Sequence, residues 1–486
     1  MTGEDIMQGE EQLLKRQVIS GLVWKFGERI TAQSVSFIVS VILARLLLPS
    51  DYGAVALVMV FITIANVFVS SGFGSALVQK KEADSLDFSS VFYINIAMSL
   101  VLYMILFLTA PYIAGFYKMP VLMPVIRVLG IRIIIAAVNS IQQAYVAKNM
   151  LFKRFFWSTL SGTLFSGIAG VYMAYNGFGV WALVAQYLIN VFIDTTVLWF
   201  TVRWRPILKC SWKRTKELVR FGWKILASAL LDTGYSELRN LLIGKIYSAD
   251  DLAFYNQGDK YPKLIVVNIN DSISSVLFPA ISLIQDDKER VKAMTRKAIQ
   301  VSSYVMWPLM VGLGIVAEPV VRIVLTDKWL PCVPYIRIFC FTYGLWPVHD
   351  SNLQALKAMG RSDLFLKLEI IKKVIGLIVL LISIKFGPLV IAESLILTSI
   401  ISAFINSAPN CKILKYSYKE QFADLFSAII VSIIMAIIVY PISYMNLPDI
   451  IVILLQIILG IVVYIIISIL TKQDAFIYLI QLFRKH

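Results

Sequence analysis

The sequence predicts an all-α polytopic membrane protein of about 14 transmembrane helices: two six-helix lobes with a parallel internal repeat, plus two extra C-terminal helices. Three observations predict this class. Hydrophobic residues make up 58% of the 486 residues and charged residues only 15%, too few charges for the surface of a soluble protein of this length. Apolar stretches of about 20 residues recur along the whole chain. Lysine and arginine are concentrated in every second connection between those stretches.

Turn residues divide the apolar stretches into fourteen segments. The breaks include Pro49-Ser50-Asp51, Asn176-Gly177 and Gly387-Pro388, which are typical of turns. We therefore expect membrane helices over 18–48, 52–78, 88–116, 121–147, 153–175, 178–202, 218–247, 251–284, 298–325, 332–358, 364–385, 388–411, 420–444 and 449–471. The final stretch, Ala475 to Lys485, has the pattern of an amphipathic helix at the membrane surface.

The distribution of positive charge predicts the orientation of these segments. The two termini and the connections after even-numbered segments are rich in lysine and arginine. The connections after odd-numbered segments hold only Arg45, Lys118, Lys245, Arg322, Lys328 and Lys385. By the positive-inside rule, both termini then lie in the cytoplasm. This placement also explains the net charge of +15 without any nucleic acid as a partner.

An internal repeat relates two halves of the chain at an offset of about 200 residues. The stretch L-A-R-L-L-L-P-S-D-Y-G (43–53) aligns with I-G-K-I-Y-S-A-D-D-L-A (243–253), and Trp24-Lys25 recurs as Trp223-Lys224. Because each half holds an even number of segments, both halves have the same membrane orientation. The predicted domains are an N-lobe over 1–212, a C-lobe over 213–411, and helices 13 and 14 with the amphipathic tail over 412–486.

Ionisable residues form a polar stripe along the first segment. Lys25, Glu28, Arg29 and Gln33 share one face of a helix with 3.6 residues per turn. A charge at the middle of a membrane helix costs roughly 2.5–3.5 kcal/mol on insertion scales, so it needs a partner or a polar interior. Alternatively, Lys25 snorkels to the membrane surface, and Glu28 pairs with Lys25 or Arg29. Arg29 lies about 16 Å along the helix from Val18, too deep to snorkel easily.

The seventh and eighth segments carry similar stripes. Their ionisable residues are Lys224, Asp232 and Arg239 in the seventh segment and Lys260, Lys263 and Asp271 in the eighth. Together the stripes predict a water-filled, mostly cationic cavity between the two lobes. Because Lys and Arg bind phosphate through charge-assisted hydrogen bonds, this cavity suits an anionic head group such as a diphosphate. The structural alternative for Lys260 and Lys263 is an ion pair with Asp259.

Three acidic residues of the stripes, Glu28, Asp232 and Asp271, are candidates for coupling to a proton or sodium ion. For each one, a structural hydrogen bond or salt bridge is the alternative. The four cysteines form no C-x-x-C pair, two histidines are too few for a His-rich metal site, and the sequence has no G-x-x-x-x-G-K-[ST] loop. We therefore expect no metal, no cofactor and no catalytic residue.

Three sequence blocks carry a family resemblance. They are L-A-R-L-L-L-P-S-D-Y-G-A-V-A-L (43–57), G-F-G-S-A-L-V-Q (72–79) and L-F-K-R (151–154). These blocks resemble the Wzx-type polysaccharide flippases, in the WzxC and TuaB branch of the multidrug/oligosaccharidyl-lipid/polysaccharide exporter superfamily. By topology the resemblance extends over essentially the whole chain.

The resemblance implies a function that the residues alone do not specify. It implies a flippase that moves undecaprenyl-diphosphate-linked oligosaccharide across the bacterial inner membrane by gradient-driven alternating access. The product would serve lipopolysaccharide, exopolysaccharide or capsule biosynthesis. The implied partners are membrane lipid and other polysaccharide-assembly proteins. The resemblance also implies cations in the cavity. Arg29, Lys224, Arg239 and Lys260 match these cations by residue type and not by a shared motif.

Two other functions remain open at this point. A multidrug/cation antiporter on the same fold would need an acidic cavity, whereas the predicted cavity is mostly basic. A membrane polysaccharide polymerase or ligase would need an outward catalytic loop. The longest outward connection, around 326–331, is too short for one.

Overall fold

The computed structural model describes residues 24, 27–70, 77, 83–209 and 211–484 of the chain. Within these ranges, the side chains of 212–215, 217–222, 224 and 482–484 are not described. Two predicted site features, Lys25 and the side chain of Lys224, therefore lie outside the described residues. So does most of the 72–79 block.

In the described ranges the regular structure is helical and follows the predicted segments. The α-helices are α1 (Gly27–Leu46), α2 (Pro49–Ser70), α3 (Ser85–Tyr117), α4 (Leu122–Leu129), α5 (Ile131–Lys148), α6 (Phe152–Tyr175), α7 (Val180–Thr201), α8 (Trp212–Ile246), α9 (Ala249–Ser282), α10 (Lys288–Val324), α11 (Val333–Gly344), α12 (Trp346–Ala358), α13 (Ser362–Ser383), α14 (Pro388–Ile413), α15 (Tyr418–Val439), α16 (Asp449–Leu470) and α17 (Asp474–Arg484). Short 3₁₀ turns cover Asp327–Cys332 and Tyr440–Tyr444.

Ten membrane spans in the described ranges, with α4 and α5 counted as one, are long and apolar enough to cross a bilayer. The chain is therefore a multi-pass membrane protein. The predicted segments at α6, α8, α11–α12 and α13 are helical but do not belong to these ten. Two of them, α8 and α13, are rich in ionisable residues. The total of fourteen spans stays a prediction.

Two segments that we expected to be continuous helices are broken. The segment 121–147 consists of α4 and α5, which meet at Gly130, and the segment 332–358 consists of α11 and α12, which meet at Leu345. Pro347 lacks the N–H that would continue the hydrogen-bond ladder of α11 into α12. Hydropathy gives no sign of either break, because the residues on both sides are apolar.

The structure has the same helix break at two places 200 residues apart. Helix α1 ends at Leu46 and α2 begins at Pro49, whereas α8 ends at Ile246 and α9 begins at Ala249. The backbone hydrogen bonds at the two helix ends also correspond: Leu47 N to Leu43 O at 2.8 Å, and Tyr247 N to Ile243 O at 2.9 Å. This agreement supports the internal repeat at its most similar stretch.

The chain packs as two compact units, Met1–Asp250 and Asp251–His486. In the first unit α2 packs against α5 and α8, and α6 packs closely against α7. The close approach of α6 follows from buried small residues at every fourth position, namely Gly162, Ser166, Gly170 and Ala174. The lobe boundaries at 212 and 411 stay predictions based on the repeat.

Helix α10 is the centre of the second unit. It packs against α11 and α12 and also against α15 and α16, the two helices outside the repeat. The predicted tail forms helix α17, which packs on α10, and its position at the membrane surface stays a prediction. There Lys297 Nζ lies 4.3 Å from the centre of the Tyr478 ring and 3.4 Å from the carbonyl oxygen of Asp474.

Candidate substrate site

The polar stripe of α1 lies beside α6. Glu28 and Arg29 are consecutive on α1 and both are half-buried. The Thr159 hydroxyl of α6 donates a hydrogen bond of 2.9 Å to Glu28 Oε1, and the Trp24 ring packs edge-on against Phe156 at 5.4 Å. Glu28 therefore has the structural hydrogen bond that we considered as the alternative to ion coupling.

Arg239 on α8 is half-buried and stacks on an aromatic ring. Its guanidinium carbon lies 5.6 Å from the centre of the Tyr235 ring. Its Nε is buried and has no hydrogen-bond partner among the described residues. Asp232 lies two turns earlier on the same helix and is exposed. Glu237 accepts a hydrogen bond of 2.8 Å from Asn240.

Other cations of the first unit also rest on aromatic rings. The Arg132 guanidinium lies 5.5 Å from the centre of the Tyr187 ring, and the Arg127 guanidinium lies 4.4 Å from that of Phe107. A cation–π contact contributes about 0.5–2 kcal/mol but does not neutralise the cation. In the described part of the chain, neither Arg132 nor Arg239 has a carboxylate partner. These two arginines of the first unit therefore have no carboxylate to balance them among the described residues.

Two lysines of the second unit pair with carboxylates instead. Lys263 Nζ lies 3.3 Å from Asp259 Oδ2, and Asp259 also accepts a hydrogen bond from the Tyr343 hydroxyl. The ion-pair alternative that we left open for Lys263 is therefore present. Lys372 forms a second pair of this kind with Glu369, at 2.5 Å.

The two remaining predicted site residues lie on the same helix as Lys263. Lys260 is half-buried, and Asp271, about three turns further along α9, is exposed. Thus Arg29 and Arg239 belong to the first unit, and Lys260, Lys263 and Asp271 belong to the second. A single cavity that holds all of them stays a prediction.

The sequence did not indicate a polar cluster inside the first unit. Asn139 of α5 donates a hydrogen bond of 2.6 Å to Asp194 of α7. The Ser158 hydroxyl of α6 donates to the Phe155 carbonyl of its own helix. Asp194 was recognisable as a carboxylate within a membrane segment. Its partner Asn139 was not, because it comes from another helix and no sequence spacing relates the two residues.

Two apolar cavities accompany these polar groups. One, of about 600 Å³, lies between α1 and α6 and includes Ile38, Gly167 and Ile168 in its lining. The other, of about 660 Å³, is lined by α10, α15, α16 and α17 and includes Gly312 and Gly460. Their linings suit hydrocarbon chains rather than sugars.

Comparison with known proteins gives one family and several distant relatives. A family model described as "polysaccharide biosynthesis protein" matches residues 42–334. The teichuronic acid biosynthesis protein TuaB of Bacillus subtilis is 25% identical over 358 residues, covering 72% of this chain and 73% of that protein. The lipopolysaccharide biosynthesis protein WzxC of Escherichia coli is 23% identical over 423 residues, covering 85% of each chain.

A solved structure shares the fold. The lipid II flippase MurJ in an inward closed conformation matches with a TM-score of 0.75, covering 94% of this chain and 99% of that chain. The sequence identity is 16%, so this likeness establishes the fold alone.

Proposed function

The chain belongs to the polysaccharide biosynthesis protein family, and on that premise we propose that it is a flippase for lipid-linked oligosaccharide. Its substrate would be an oligosaccharide joined through a diphosphate to undecaprenol. The protein would move it from the cytoplasmic to the outer leaflet of the bacterial inner membrane by alternating access. We also propose that both termini are cytoplasmic, as the distribution of positive charge in the connections requires.

One observation carries this proposal: the first unit holds internal arginines that rest on aromatic rings and not on carboxylates. A membrane protein keeps an unbalanced internal cation at a cost, so the cation is expected to serve a function. A diphosphate supplies the missing negative charge and accepts several charge-assisted hydrogen bonds. The apolar cavities would leave the polyprenyl tail in hydrocarbon surroundings while the head group moves.

The proposed site comprises the predicted cations of both units, with Arg29 and Arg239 as its main members. Lys25, Lys224 and Lys260 would add to the positive field. Lys263 would contribute less, because Asp259 already balances its charge. Proton or sodium coupling through Asp232 or Asp271 stays a proposal, whereas the hydrogen bond from Thr159 favours a positioning role for Glu28.

Deletion of the gene tests the proposed function in cells. Lipid-linked oligosaccharide should accumulate in the cytoplasmic leaflet, and surface polysaccharide should be lost, because the repeat units no longer reach the outer leaflet. Both are measured by extracting the lipid-linked sugars and by labelling surface sugars on intact cells. Unchanged surface polysaccharide together with increased sensitivity to cationic drugs would contradict the proposal and indicate a multidrug antiporter.

A further inference from the structure

A row of aromatic rings runs between α9 and α11 within the second unit. The Tyr255 ring of α9 packs edge-on against Phe339 of α11, with 5.3 Å between ring centres, and the Phe339 ring stacks on Tyr343 at 5.9 Å. The Tyr343 ring in turn lies 5.1 Å from that of Trp346, the first residue of α12. The first two rings of the row are buried, whereas Tyr343 and Trp346 are only half-buried. The row is therefore exposed at its Trp346 end.

A carboxylate and an ammonium group lie beside the exposed end of this row. The Tyr343 hydroxyl donates to Asp259 Oδ1, and Lys263 Nζ lies 3.3 Å from Asp259 Oδ2. The Asp259 side chain is 20% exposed and that of Lys263 is 56% exposed. Gly258 permits this arrangement, because a Cβ atom there would overlap the Cβ of Tyr335 and push α9 away from α11. The packing of these two helices thus holds the rings and the ion pair together.

The ion pair is expected to face water and not lipid. Helix α9 is long and apolar enough to span the membrane. At 1.5 Å per residue, Lys263 lies about 21 Å along it from Ala249 and farther still from Ser282, too deep to snorkel easily. A largely exposed ammonium group at that depth would be costly in hydrocarbon. The exposed end of the aromatic row therefore lines an aqueous opening that a polar ligand can reach.

The ion pair also has spare hydrogen-bonding capacity. An ionised carboxylate can accept about four hydrogen bonds, and an ammonium group can donate about three. Among the described residues, Asp259 accepts from Tyr343 and Lys263, and Lys263 donates to Asp259 alone. Because the hydroxyl of Tyr343 and the ammonium of Lys263 fix the carboxylate, its remaining acceptor positions are already oriented before a ligand binds.

An uncharged sugar ring matches this set of groups. The apolar C–H face of a pyranose packs on an aromatic ring, while the hydroxyls at its edge donate and accept hydrogen bonds. Since Asp259 balances Lys263, the pair offers these hydrogen bonds without net charge. A diphosphate would instead meet the Asp259 carboxylate, and the two like charges would repel each other.

We propose that the exposed end of this aromatic row is a binding site for an uncharged sugar ring of the transported oligosaccharide. The sugar stacks on Trp346, one of its hydroxyls donates to Asp259, and Lys263 donates to one of its oxygens. Tyr343 is a positioning residue, because its hydroxyl holds the carboxylate. The inference rests on the proposed flippase function and adds a sugar subsite to the arginines that would bind the diphosphate.

Two lipids distinguish a sugar site from a diphosphate site. One is the lipid-linked oligosaccharide extracted from the deletion strain, and the other is undecaprenyl diphosphate, which carries no sugar. Each is titrated into the full-length protein in lipid nanodiscs to obtain a Kd. Trp346→Ala should weaken binding of the lipid-linked oligosaccharide about tenfold and leave binding of undecaprenyl diphosphate unchanged. Arg29→Ala should weaken binding of both lipids alike.

Two further variants control for packing. Trp346→Phe keeps an aromatic ring and should retain most of the affinity for the lipid-linked oligosaccharide. Phe341→Ala removes a ring of α11 that packs on Trp307 at 5.8 Å, and it should change neither affinity. Phe341 is two residues from Tyr343, so it lies on a different face of the helix.

The outcomes separate this inference from the proposed function. A folded Trp346→Ala protein that binds both lipids as the wild type does, or that loses affinity for both equally, would overturn the sugar site. If Trp346→Ala does not fold, Trp346→Leu, which fills more of the space without a ring, decides by the same comparison. A wild-type protein that binds neither lipid would contradict the proposed function, and the sugar site with it.

Discussion

Arg29→Ala and Lys224→Ala are each expected to abolish polysaccharide export while the protein still inserts at its normal level. A hydrogen bond to a charged group contributes about 1.5–3 kcal/mol, so loss of one contact to a diphosphate should slow transport about tenfold to a hundredfold. Arg29 and Lys224 lie on α1 and α8, the helices that the repeat relates. The measurement is surface polysaccharide in a deletion strain that carries each variant.

Matched substitutions separate charge from folding in this experiment. Arg29→Lys keeps the charge and should retain part of the export, since lysine binds phosphate without the bidentate geometry of arginine. Arg361→Ala removes an exposed arginine that pairs with Asp363, and it should leave export unchanged. Full export by both Arg29→Ala and Lys224→Ala, at normal protein levels, would show that the cationic site is wrong.

Asp424→Ala is expected to lower the free energy of unfolding of the second unit by about 3 kcal/mol. This is the lower end of the range found when one partner of a buried ion pair is removed. The Asp424 side chain is 4% exposed and lies 2.8 Å from Arg296 Nε. It also accepts hydrogen bonds from Gln300 and from the Tyr416 hydroxyl, both at 2.7 Å. The variant leaves these donors without their acceptor, and Tyr416 is fully buried.

Thermal or denaturant unfolding of purified protein in detergent measures this effect. Asp363→Ala is the matched control, because Asp363 also pairs with an arginine, Arg361, but its side chain is 63% exposed. The control should unfold at the wild-type midpoint, since exposed pairs contribute little. Asp424→Asn should fall between the two, because it loses the charge but can still accept from Tyr416. Equal stability of Asp424→Ala and wild type would contradict the importance of this network.

Features that depend on local sequence were predictable, and features that depend on helix packing were not. Apolar length located the helices, and the match at 43–53 and 243–253 anticipated the equivalent breaks after Leu46 and Ile246. The Lys263–Asp259 pair was also foreseeable, because residues four apart share a helix face. The break at Leu345 was not foreseen, since apolar residues on both sides conceal it.

The candidate site shows the same division. The sequence identified Arg239 as an internal cation with Tyr235 four residues away on the same helix face. It could not show that, among the described residues, no other helix brings a carboxylate to this arginine. The partners of Asp194 and Asp424 come from other helices, so only packing brings them together. That difference matters for function, because the charge of an arginine on a ring is not balanced, whereas Asp259 balances the charge of Lys263.

Reconstitution tests the central claim most directly. Purified protein is placed in liposomes that contain undecaprenyl-diphosphate-linked oligosaccharide, and a membrane-impermeant reagent labels the sugars exposed outside. With the wild-type protein, the reagent should first label the sugars in the outer leaflet and then, more slowly, those that the protein moves outward, until labelling is nearly complete. Arg29→Ala should slow this second phase at least about tenfold. Labelling that stops at the outer-leaflet fraction, as in protein-free liposomes, would contradict the assignment of this chain as a flippase.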